Sequence, residues 1–378
     1  MKQFTSVFSI VISLLGFSVA LLGQGKNGND VSIEIDGEEL MIDEAMDLYK
    51  VPGVSIVVIK GFEIHDRIAL GYADEYEDRE VNYETQFCVG GMTQLVTAAM
   101  TLHLCSFDRL DLDYEVNELL KSWELQYGKY EKSRSITVRR LLNHTAGFTQ
   151  YFKPNGYYQD ELVPSITQIL DGLGNMKEVK IRTEPGTFPN HSFESYVLLQ
   201  QVLEDFTGHK FEELAEDLVF EPLDMKNSSF EQFPTATARE MRATGYDSKG
   251  EEIKGKWKVY PELGTAGLWC SAEDYAKVLI DLAKTNNGQS GKLINQQMCR
   301  EMQKPVKDEW AMGFNNPSKS PYTFVGGGAD GFFTRMNMNF EAGCGLVMLT
   351  NSHINWRFLT EIQDDLARHY GLEGYFNE

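Results

Sequence analysis

Residues 95–104 constrain this chain more than any other stretch. Leu95, Val96, Ala98, Ala99, Met100, Leu102 and Leu104 give a helix with almost no polar face. Such a helix has to be covered on every side, which calls for a body of several layers. It follows Phe87–Gln94, FCVGGMTQ, where the extended apolar run Phe87-Cys88-Val89 leads into Gly90-Gly91. Paired glycines at a helix start mark close approach of backbone, or of a ligand, to that end.

With 378 residues, 42% hydrophobic and 24% charged, the chain can fill a large core. Its formal net charge of -21 argues against a nucleic-acid partner, which needs a basic face, and disfavours an anionic membrane surface. The charge serves dispersal in solution instead. Lys2, the uncharged and mostly apolar run Phe4–Gly23, and small residues at Ser18, Ala20 and Gly23 read as a signal peptide over residues 1–23. The run is long enough to stay as an anchor if uncleaved. Either way the body is expected outside the cytosol, periplasmic or secreted. Residues 24–36, with GKNGND at 25–30, read as a linker, and 37–378 as a single domain.

The five cysteines, Cys88, Cys105, Cys270, Cys299 and Cys344, are odd in number and widely spaced. They read as small core residues, with a disulfide permitted but not indicated. No spacing supports a metal, nucleotide or haem site, so no cofactor is expected. Gly326-Gly327-Gly328 lacks the GxGxxG pattern and a following helix, which excludes a phosphate loop.

Taken in order, Glu38–Tyr49 has helical spacing and is broken by Pro52-Gly53. Val54–Ile59, VSIVVI, is a β-branched apolar run expected as a buried strand, and Ile64–Tyr72 pairs back on it as a hairpin. Helices are expected over Tyr196–Phe206, ended by Gly208, and over Phe211–Leu223. Ser271-Ala272-Glu273-Asp274 opens another, through Leu282. The C-terminal third returns to strands at Trp310–Phe314, Phe332–Phe340 and Gly345–Leu349, and Trp356–Tyr370 closes the chain as an amphipathic helix. There is no internal repeat. Strands at both ends with helices between predict an α/β (α+β) fold. Its central antiparallel sheet is built from N- and C-terminal strands and flanked by helices. A mostly helical lobe, residues 85–305, is inserted.

Thr85–Gln94, the opening VPGVS at Val51–Ser55, ITVRRLLNHTAG at Ile136–Gly147 and Leu263–Asp274 together resemble the serine β-lactamase and penicillin-binding-protein superfamily. The class C β-lactamase, DD-peptidase and esterase branch is the nearest match. The resemblance runs over residues 37–370. It implies the sheet-plus-helical-lobe architecture and a cleft where a Ser-x-x-Lys nucleophile attacks a carbonyl. At His144 it implies a structural role, bracing a loop.

The chemistry-bearing positions of that family are replaced. Gly91 stands where the nucleophilic Ser belongs and Gln94 where the Lys belongs. Thr93, the nearest hydroxyl, is expected on another helix face. After Pro185-Gly186-Thr187, the Tyr-x-Asn motif reads His191-Ser192-Phe193. In FVGGGADGF, aligned on Gly331-Phe332, Val325 replaces the Lys or His of the third motif and Gly327 keeps its Gly. What the family uses as an oxyanion hole falls on the amides of Gly91 and Gly328, which need no side chain.

Three functions follow as expectations. The first is an exported, non-catalytic binding or regulatory protein. It would hold a small molecule or peptide at Gly91, Gln94, His191, Phe193, Gly327 and Gly328. The second is a hydrolase with relocated chemistry, His191 working with Glu194, Asp330 or Ser192. The third is a partner-binding protein whose cleft is closed by Phe193 and Val325 packing on Gly91.

Overall fold

The computed structural model describes residues 31–35, 37–130, 136–148, 154–307, 309–353 and 356–375. The expected export segment 1–23 and the stretch 25–30 lie outside them. Two short strands, β1 (Ser32–Ile35) and β2 (Glu38–Met41), pair antiparallel, and α1 (Ile42–Tyr49) follows. This corrects two expectations. Residues 32–35 belong to the folded body rather than to a linker, and 38–41 form a strand rather than the first turn of a helix. The apolar spacing of 40–49 fits a helix equally well, and pairing with β1 decides the first four residues.

The main sheet is antiparallel and joins the two ends of the chain. Its order is Arg79–Glu80, β4 (Glu63–Asp74), β3 (Gly53–Lys60), then Cys344–Thr350, Phe332–Asn339 and Thr323–Ala329. In chain order these last three are β5 (Thr323–Ala329), β6 (Phe332–Asn339) and β7 (Cys344–Thr350). Register pairs Val54 with Thr350 and Ile59 with Gly345. The continuous apolar run of β3 follows from burial on both faces. Val54, Ile56 and Val58 enter one core with Phe358, Leu359 and Ile362. Val57 and Ile59 enter the other, larger core.

The expected strand at Trp310–Phe314 is absent; the segment makes only isolated bridges, Val306 to Trp310 and Trp310 to Asn315. β5 is the true edge strand, and its glycines hid it from a propensity reading.

The apolar helix is α2 (Thr93–Ser106), preceded by a 3-10 turn over Gly90–Met92. Leu95, Ala98, Ala99, Leu102 and Leu104 are fully buried, as its pattern requires. The expected Tyr196–Phe206 helix begins earlier, as α3 (Phe193–Thr207), and Gly208 ends it at φ +77°. α4 (Ala272–Asn286) starts on Ser271, whose hydroxyl accepts from the Asp274 amide at 3.2 Å. α5 (Trp356–His369) covers the second core. All five cysteines are buried, and none is joined in a disulfide. Among the described residues no helix is long and apolar enough to cross a membrane, and no group of three or more His, Cys, Asp or Glu is placed to hold a metal.

Candidate functional site

The entrance to α2 is held from three sides. Phe87–Cys88 pairs with Trp269–Cys270, which also pairs with Ser228–Ser229. The Tyr275 hydroxyl of α4 donates to the Met92 carbonyl at 2.9 Å. From the front, β5 presses its glycines directly onto the 3-10 turn. A Cβ on Gly327 would sit 1.8 Å from the Val89 carbonyl oxygen, and one on Gly90 2.8 Å from the Gly328 nitrogen. Gly90 also has φ +52°. The close approach marked by the paired glycines is therefore, at Gly90, an approach of backbone to backbone. The structure brings Gly90 and Gly91 together with Gly326, Gly327 and Gly328.

Gly91 itself is buried. The position its Cβ would take lies 3.2 Å from the Gly326 carbonyl oxygen, 3.8 Å from the Gly327 Cα and 3.9 Å from the Phe193 ring. Phe193 thus reaches position 91, where the resemblance implies a nucleophile. Val325 is not among those nearest atoms. It pairs with Met336 and is buried in the main core, while Phe193 is the side chain nearest to the Gly91 Cβ position.

Gln94 lies one turn along α2 and is 2% exposed. Its side-chain amide donates to the Thr265 hydroxyl at 2.9 Å. Three residues on, the Thr97 hydroxyl donates to the Gly264 carbonyl at 2.8 Å. Neutral hydrogen bonds tie this face of α2 to the short helix Leu263–Ala266. Thr93, as expected, faces elsewhere: it is fully buried, and its hydroxyl accepts from the Leu268 amide at 3.3 Å.

His191 stands just before α3 in a nest of rings. It stacks on Trp310 with centroids 4.5 Å apart and planes 14° apart, and meets Phe193 edge-on at 5.0 Å. His144 lies 4.7 Å away. Burial among these rings pushes the His191 imidazole down to about 4, which keeps it neutral at physiological pH. His144 is driven well below its ordinary value, first by burial and then by His191. Its Nδ1 accepts from the Ser192 amide at 3.3 Å and its carbonyl accepts from the Asn190 amide at 2.9 Å. His144 therefore braces the loop entering α3, at the cost of a left-handed φ of 59°.

The partners expected for His191 are engaged elsewhere. The Glu194 carboxylate pairs with Arg182 at 2.7 Å, and Ser192 donates to Glu194 at 3.5 Å. Asp330 pairs with Lys258 at 2.6 Å. Sequence reasoning missed Trp310, which caps both histidines. It is far along the chain, and no local pattern announces such a contact.

A family model described as Beta-lactamase matches residues 39–365, and the chain belongs to that family. Among curated relatives, protein Flp of Staphylococcus aureus strain MW2 is 22% identical over 354 residues, covering 89% of this chain; the chain spans 66% of Flp. Two solved structures share the fold. The octameric penicillin-binding protein homologue from Pyrococcus abyssi has a TM-score of 0.71 at 22% identity, covering 87% of this chain and 76% of that one. The penicillin-binding protein from Bacillus halodurans has a TM-score of 0.68 at 19% identity, covering 87% of this chain and 100% of that one.

Proposed function

We propose that this chain is a non-acylating member of the family, exported by residues 1–23, that binds a small molecule or peptide without cleaving it. One observation carries the reading: at the nucleophile position there is no side chain, and the Phe193 ring stands 3.9 Å from where one would begin. Acyl transfer needs an oxygen or sulfur nucleophile within reach of the carbonyl. The supporting groups are consistent with its loss. Gln94 carries no charge and is committed to Thr265. His191 is held neutral inside an aromatic nest. Val325 belongs to the core.

What remains is backbone. The glycines of the 3-10 turn and of β5 meet face to face, and amides at Gly91 and Gly328 suit a carbonyl or carboxylate oxygen of a ligand. Arg182, Lys258 and the paired acids around them support the walls rather than the chemistry. Steady-state turnover tests the reading. With a chromogenic cephalosporin and p-nitrophenyl esters, the rate is expected to match the protein-free background. Turnover above background that falls in His191→Ala would favour relocated chemistry at His191 instead.

A further inference from the structure

A second concavity lies in the helical lobe, and none of Gly91, His191, Phe193 or Gly327 lines it. Its volume is about 560 Å³, within the size range of small-molecule sites. The walls come from separate segments: Val163–Ile166, Gln200 and Glu204 on α3, Glu212–Phe220, Ser229–Phe233, and Val259–Leu263.

The interior is apolar and built from fixed rings. Phe220 and Phe230 stack at 5.8 Å with planes 12° apart, and Phe211 meets Phe230 edge-on at 5.1 Å behind them. Phe233 contributes to the wall yet is 57% exposed. The charged groups on the lining are Glu204, Glu212, Glu216 and Glu231; no Lys, Arg or His lines it, and Arg242 approaches from behind, donating to the Glu231 carbonyl at 2.6 Å. Among the described residues none of these four carboxylates forms an ion pair. Glu204 is pushed up, first by burial and further by Glu212 and Asp205, against a hydrogen bond from the Phe211 amide at 3.2 Å. Glu212 and Glu216, four apart, are a like-charge pair on one helix face, an arrangement that weakens a helix. At this wall the helical run Phe211–Leu223 also breaks into a π turn over Glu216–Phe220. Such turns are uncommon and often sit at functional sites.

We propose that this cavity binds an amphipathic organic cation, a small ammonium or guanidinium compound with an alkyl or aryl body. The body fills the space over Phe230 and Phe233. The cation meets Glu204 and Glu216, carboxylates that form no ion pair among the described residues. A carboxylate ligand would add a further negative charge and is rejected. The site is independent of the family cleft, so the proposal stands or falls separately from the non-acylating reading.

The test is calorimetry on the full chain with three probes of one shape: 4-phenylbutylamine, 4-phenylbutanol and 4-phenylbutanoic acid. The amine is expected to bind at least tenfold more tightly than the alcohol, and the acid not at all. Glu204→Gln with Glu216→Gln should bring the amine and alcohol level. Phe233→Ala should weaken both amine and alcohol. The single surface change Glu212→Gln, which leaves the fold intact, should lower the amine-to-alcohol ratio by a smaller factor. Equal binding of amine and alcohol to the unaltered chain would overturn the proposal. So would an unchanged preference in the folded Gln variants, or no heat with the amine at millimolar concentration.

Discussion

Gly327 and Gly91 lie against each other where β5 meets the start of α2, yet the fold demands glycine at one and not at the other. A side chain on Gly327 would drive into the Val89 carbonyl at 1.8 Å. No local adjustment accommodates that, because both partners are backbone. At Gly91, φ lies outside the left-handed region and the nearest obstacle is a carbonyl oxygen at 3.2 Å. A shift of a few tenths of an ångström would admit a Cβ there. The junction between the edge strand and the helix start is thus fixed by sterics. At 91 the surroundings leave almost enough room for a side chain that the sequence does not supply.

The contrast is open to direct attack. The largest effect should come from Gly327→Ala, which should cost roughly 3 kcal/mol or more and is measured by denaturant unfolding. A loss below about 1 kcal/mol would show that the junction yields and would dissolve the distinction. Next is Gln94→Lys, which restores the family's charge at a position 2% exposed whose present partner is a hydroxyl. Burying that ammonium should lower stability by about 2–3 kcal/mol. A neutral outcome would mean that the site still holds a carboxylate or water network suited to a lysine.

Glu262, the N-cap residue of the short helix Leu263–Ala266, sharpens the comparison. It is fully buried, neither carboxyl oxygen has a hydrogen-bond partner, and burial lifts it to about 7. A carboxyl whose native value lies above its unfolded value binds more protons when folded. Its contribution is therefore intact below the unfolded value, near pH 4.5, and is lost as pH rises toward 7. Glu262→Gln removes that titration. The variant should match the parent at pH 4.5 and exceed it at pH 8 by an amount on the order of 2 kcal/mol, read from paired melts.

Gly91→Ser should cost only about 1 kcal/mol or less and should not restore acylation, since Gln94 supplies no base. At neutral pH the smallest effect belongs to His191. Its native value, about 4, lies below the unfolded one, so the unfolded chain takes the proton first and stability falls as pH drops from 6.5 to 4. His191→Phe should flatten that part of the acid limb while leaving neutral-pH stability nearly unchanged.

Much of this frame was legible beforehand, for stated reasons. Val54–Ile59 is apolar at every position but Ser55 because two cores claim alternate residues. Residues 95–104 have almost no polar face because all of them but His103 are buried. Ser271 with Asp274 spells a helix start in four letters. Other features have no local signature. β5 reads as a glycine-rich loop until β6 is beside it. Residues 38–41 fit a helix until β1 pairs with them. Trp310 meets His191 only through tertiary packing, and the acidic cavity draws its walls from segments spread between 163 and 263. Position-by-position comparison with the family singled out Gly91, Gln94, His191 and Phe193 as candidates. It could not tell which glycine is a steric necessity, because that depends on the distance between two backbones.

The central claim, a kept frame without a nucleophile, is tested most directly by intact-protein mass spectrometry. The folded protein would be incubated with a fluorophosphonate and with a panel of β-lactams. The account predicts an unchanged mass with every reagent, for the parent chain and for Gly91→Ser alike. A stoichiometric adduct on the parent chain would contradict it, and the labelled peptide would identify the nucleophile.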